Sequence, residues 1–171
     1  AYQLQPTAGA VYTATNTRPT APQDVGGDLK VAAFNVLNYF TTLDDGGDIC
    51  GPTGGLECRG ADNATELRRQ QDKIVAAMCA IDADIFGLME LENPNAANDP
   101  ESGDGIDNYV LKSLVEALND PISPCPDKTY GFTDSGAVGT DAIRQAIIYK
   151  SSTVIPLGRA VLDDEGFTDP N

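Results

Sequence analysis

The chain has no histidine among its 171 residues. Histidine is the side chain whose unperturbed pKa lies near 7, so hydrolysis at neutral pH lacks its usual proton acceptor within these residues. Cations are also scarce: 11 Lys plus Arg stand against 26 Asp plus Glu, a net charge of −15. That balance excludes a protein that coats nucleic acid through a basic surface. It does not exclude one that processes a polyanion with a divalent metal neutralising the contact locally. No apolar run approaches the roughly 18 to 20 residues that span a bilayer. The opening AYQLQPTAG shows no basic-then-apolar signal pattern; a mature secreted chain would look the same, so this does not argue for the cytoplasm. There is no CxxC or Cys/His cluster, so zinc is not expected, and no internal repeat is visible.

Apolar residues make up 41% of the chain, enough for one ordinary domain with its own core. The four cysteines are even in number. Cys50 and Cys58 flank the turn-rich CGPTGGLEC, while Cys79 closes a helical pattern and Cys125 sits in the loop PISPCPDK. Of three pairings, Cys50–Cys58 with Cys79–Cys125 is preferred on spacing, with free buried thiols as the alternative. Paired cysteines point to an oxidising compartment and an extracellular location.

Residues 1–28, rich in Thr, Pro, Ala and Gly, read as an extended leader or linker. From Leu29 to Tyr39 the run LKVAAFNVLNY predicts a central strand buried on both faces. Asn63 with Glu66 three residues on predicts a capped helix start. Leu67, Ile74, Met78 and Ile81 then trace one helical face that Asp82 and Asp84 end. Ile85 to Met89 reads as a second buried strand closing at Glu90. Asp107 to Leu118 reads as an amphipathic helix capped by Asp107 or Asn108. Ala142 to Tyr149 predicts a third strand and Val154 to Leu157 the start of a fourth. This order predicts an α/β layered fold.

Two polar residues interrupt this pattern. Asn35 breaks an apolar strand, and Glu90 ends another. A buried polar group costs free energy unless it is bonded or binds something, and α/β folds place ligands at the carboxyl ends of their strands. Glu90 offers a hard oxygen donor for magnesium, manganese or calcium. Asn35 is neutral and suited to orient a phosphate or a metal ligand. The alternative is structural: a solvated strand-end acid and an Asn paired with backbone.

The segments LKVAAFNVLNYF, RGADNATELRRQQDKIVAAMCAIDADIFGLMELEN and GTDAIRQAIIYK, in that order, resemble the endonuclease/exonuclease/phosphatase superfamily. Within it they are most similar to the large secreted bacterial nucleases. The likeness runs from about Gly27 to Leu157. It implies a four-layer sandwich of two mixed β-sheets flanked by helices, of which residues 29–171 are the N-terminal half, incomplete at the C-terminus. It implies Glu90 as metal-binding glutamate and Asn35 as active-site asparagine, together the catalytic and metal residues, with magnesium preferred over calcium or manganese. It also places Asp141 and Arg144 along the substrate groove, where Arg144 is a fork donor for phosphate or else an ion-pair partner of Asp141. The family's later histidine, Gly-Asp-x-Asn and Asp-His motifs are absent, so the resemblance implies a C-terminal partner segment carrying them.

The function implied is a secreted, divalent-metal-dependent nuclease acting on extracellular DNA, with RNA as a second substrate. A phosphatase or phospholipid phosphodiesterase of the same superfamily is the alternative, and a non-catalytic binding or adhesion module the alternative of another class. Glu92 reads as a solvated loop residue, Asn38 as structural, and Arg68 and Arg69 as exposed on the helix. The loop NPNAANDPESGDGIDN lacks the spacing of an EF-hand and reads as a surface insertion. Asn63-Ala64-Thr65 is formally a glycosylation sequon.

Overall fold

A computed structural model describes residues 7–95, 109–133 and 136–158. Its elements are β1 (Val31–Tyr39), α1 (Ala64–Ile81), β2 (Ile85–Glu92), α2 (Tyr109–Asn119), β3 (Tyr130–Phe132) and β4 (Ile143–Lys150). The four strands form one mixed sheet in the order β1-β2-β4-β3. β1 and β2 run parallel, with α1 as their crossover, and β4 runs antiparallel to both β2 and β3. This is the expected α/β class.

Helix α1 starts where Asn63 Oδ1 accepts from the backbone N–H groups of Thr65 and Glu66, both at 3.1 Å. Those bonds satisfy two of the donors that a helix start leaves unpaired. It stops at Asp82, which turns left-handed (φ 52°) and donates its N–H to Met78. From α1, Ile74, Val75, Met78 and Cys79 are buried, and from α2, Val110, Leu111, Leu114, Val115 and Leu118. These residues share one core with Val36, Phe86, Leu88, Ala146 and Ile148 of the sheet. Each fully buried aliphatic side chain stabilises by about 2 kcal/mol. Both helices therefore cover the same sheet face. The caps expected at Asp107 and Asn108, most of the Asp/Gly-rich loop, and the tail beyond Gly158 lie outside the described residues.

Both expected disulfides are formed: Cys50–Cys58, and Cys79–Cys125 joining α1 to the loop after α2. Cys50 and Cys58 build a second small core with Phe40 and Ala142. Gly60 lies so close to Phe40 that a Cβ there would stand 2.5 Å from the Phe40 Cβ. The hairpin of Cys50 against Leu56 completes this loop layer.

The strand expectations need three corrections. β1 is not buried on both faces: it pairs with β2 alone among the described residues, and Val31 and Leu37 are 68% and 75% exposed. No strand forms at Val154–Leu157. The chain turns at Ser151–Thr153, with Val154 N–H bonded to Lys150 O at 2.9 Å, and Pro156 has no N–H for a ladder. The strand missed is β3. The Asn119 side chain supports it by accepting from Tyr130 N–H and donating to Tyr130 O, both at 2.9 Å, as a neighbouring strand would.

Candidate functional site

Asn35 and Glu90 sit on adjacent strands, where both strands lose their regular register. The β1/β2 pairing shifts between Asn35 and Tyr39, and the β2/β4 pairing shifts between Leu88 and Leu91. Such bulges re-aim side chains and concentrate beside functional sites. Three non-glycine residues there adopt left-handed backbone: Leu37 (φ 56°), Asn38 (φ 50°) and Glu90 (φ 63°). Each such residue costs about 1 kcal/mol or more and persists only where its surroundings hold it in place.

The bulge has a definite consequence. Asn35 pairs across from Met89, so regular alternation would send the next residue, Glu90, to the opposite face. Instead Asn35 Nδ2 donates to Glu90 Oε1 at 2.7 Å. The amide is itself fixed, because its Oδ1 accepts from Leu37 N–H at 2.7 Å. Gln70 of α1 holds the bulged segment from the other side, donating through Nε2 to Leu37 O at 2.7 Å. β2 does not end at Glu90, as the sequence pattern suggested, but continues to Glu92. Asn35 is exposed and Glu90 partly so; the burial cost that first singled out Asn35 does not act on it.

Asp141 and Arg144 are not brought to this pair. Arg144 alternates with Ala146 and Ile148 on the buried face of β4, opposite Leu91, and is 1% exposed; one guanidinium nitrogen donates to Gly136 O. Asp141 is exposed and forms its ion pair with Arg59 at 3.1 Å, not with Arg144. Its Oδ1 also accepts from Ala142 N–H.

Glu92 corrects another expectation. It is 6% exposed, and its Oε2 accepts from Thr41 N–H (2.7 Å), Thr41 Oγ1 (3.0 Å) and Thr42 N–H (3.1 Å). Asn93, fully buried, donates to Val138 O and Asp141 O and accepts from Val138 N–H. Glu92 and Asn93 thus anchor the loops around the site rather than face solvent. Asn38 lies in the bulge with left-handed backbone (φ 50°), and its carbonyl accepts from Gln70 Nε2 at 3.4 Å.

Sequence reasoning missed the wall of the site. An open groove of about 380 Å³ runs between β1 and α1, with Asn35 on one side and Glu66, Arg69, Gln70 and Lys73 on the other. The signal was the spacing: Glu66, Arg69, Gln70 and Lys73 recur at three and four residues and define one helix face. Among the described residues no group of three His, Cys, Asp or Glu gathers to hold a metal. Glu90 alone still suits magnesium, which is commonly bound through one or two carboxylates completed by water and substrate phosphate.

Compared with family models, with curated proteins and with solved structures, the chain matches none of them. No helix among the described residues is long and apolar enough to cross a membrane. The two disulfides are compatible with an extracellular protein.

Proposed function

We propose that this chain is the Asn/Glu-bearing part of a divalent-metal-dependent phosphodiesterase of the endonuclease/exonuclease/phosphatase kind, secreted and acting on extracellular DNA. The observation that carries the reading is the 2.7 Å Asn35–Glu90 bond between two adjacent bulges, with left-handed backbone at three positions. None of the three strained residues, Leu37, Asn38 and Glu90, is part of the buried core, so core packing does not account for the strain.

On this reading Glu90 holds magnesium, the ion supplying charge neutralisation at the phosphate when bound. Asn35 keeps one carboxylate oxygen occupied and so orients the other. An amide nitrogen carries two hydrogens; the one not given to Glu90 serves a phosphate oxygen. The proton acceptor is a histidine outside these residues, on a segment that covers the open sheet face. The apolar exposure of Val31, Met89 and Ile147 on that face supports such a segment.

The test is relaxation of supercoiled plasmid by the longest natural product of the gene, with magnesium and with chelator. Glu90→Ala is expected to lower metal-dependent nicking by about 10²–10³-fold, and Asn35→Ala by about 10–100-fold, each with the fold intact. Metal-independent nicking, or none at all, would overturn the reading.

A further inference from the structure

Arg69 and Lys73 stand four residues apart on α1, both exposed and both lining the groove beside Asn35. Like charges at this spacing repel one another and destabilise a helix. Neither forms an ion pair among the described residues. The one carboxylate in the groove, Glu66, is turned to the helix start, where its Oε2 accepts from Asp62 N–H at 3.3 Å. In a chain with only 11 cations and a net charge of −15, two uncompensated cations facing one groove are not a by-product of composition. Electrostatics elsewhere on the surface repels a polyanion, so its approach needs a local positive strip.

The groove's other polar member does not compete for an anion. Gln70 is committed to the backbone of the β1 bulge. The groove therefore has a rigid floor made by the Asn35–Leu37 bulge and a cationic wall made by Arg69 and Lys73. Arginine supplies a planar fork and lysine a compact point charge, and both are phosphate donors.

We infer that this wall binds the phosphodiester backbone of a polynucleotide next to the phosphate held at Asn35 and Glu90. The inference rests on the proposed phosphodiesterase reading and deepens it: the substrate has several phosphates in a row, not one.

The experiment compares the Arg69→Ala/Lys73→Ala double variant with the wild type, each as the longest natural product of the gene, on two probes. One is a fluorescent duplex oligonucleotide bound in calcium and titrated with salt. The other is bis(p-nitrophenyl) phosphate, a single phosphodiester, hydrolysed in magnesium. The double variant is expected to bind the oligonucleotide about tenfold or more weakly. Its log–log salt slope should be shallower by about 2, one counterion-release increment for each lost phosphate contact. Turnover of the single phosphodiester should fall several-fold less than oligonucleotide affinity, and thermal stability should be equal or higher. Unchanged oligonucleotide affinity and salt slope, no binding by the wild type, or an equal fall on both probes would overturn the inference. Binding that depends on the pair without hydrolysis of either probe would leave it standing while sinking the catalytic reading.

Discussion

The two faces of the sheet are built from the same strands but have opposite surroundings. On one, Phe86, Leu88 and Ile148, none more than 1% exposed, meet the buried stripes of α1 and α2. On the other, Val31 is 68%, Ile147 45% and Met89 36% exposed. The covered face follows ordinary rules: close packing under two helices, with α1 capped at both ends. Apart from Asp82, which ends α1, the left-handed non-glycine residues of the described chain gather where Asn35 meets Glu90. Stability and chemistry are thus separated by strand alternation. A residue's parity decides whether it serves the core or the site, and the bulge at Glu90 is the device that changes parity.

The largest expected effect sharpens this division in the helical layer. Cys79–Cys125 closes 46 residues and Cys50–Cys58 closes 8. Loop-closure entropy gives about 4 kcal/mol for the first and about 2.5 kcal/mol for the second. Replacing each pair by alanine and measuring denaturant unfolding should show the helical staple costing more. Equal losses would mean that the loop layer around Phe40 is as central to folding as the helical core.

A second comparison needs only neighbouring isoleucines of β4. Ile148 is 0% and Ile147 45% exposed. Ile148→Ala should cost about 3 kcal/mol through lost burial and the cavity left behind, and Ile147→Ala no more than about 0.5 kcal/mol. If Ile147→Ala proves as costly in the longest natural product of the gene, the open face is covered in that protein, as the proposed C-terminal segment requires.

Local signals made the helices and disulfides legible in the sequence. Asn63 with Glu66 announced the start of α1, and its apolar spacing marked the buried stripe. Non-local facts were not legible. An apolar run such as LKVAAFNVLNY reads alike for a central strand and for an edge strand with an uncovered face, since periodicity reports side chains and not hydrogen-bond partners. β3 has three residues and depends on Asn119 across a loop, so no window could reveal it. Asn35 and Glu90 were identifiable singly as polar interruptions; their meeting depends on bulges, which no residue pattern in these strands signals. The burial of Arg144 was not legible because register and strand parity, not its chemistry, set it.

The smallest expected effect lies at the far end of the sheet, where β1 and β2 begin. Asp84 Oδ2 accepts from Lys30 N–H at 2.8 Å and Oδ1 from Thr153 Oγ1 at 3.0 Å. The Lys30 backbone bond first, then the Thr153 hydroxyl and the charges of Lys150 and Lys30, hold its carboxyl below the usual 3.8 against the opposing effect of burial. Folding therefore favours the carboxylate. That contribution is fully present above about pH 4 and is lost as pH falls through the folded value. Asp84→Asn should cost about 1 kcal/mol at neutral pH, where a charged acceptor is replaced by a neutral one. The gap between the two proteins, followed by urea unfolding from pH 7 to pH 3, should narrow on the acid side. A gap independent of pH would show that Asp84 acts through shape alone, and that the strand starts owe nothing to its charge.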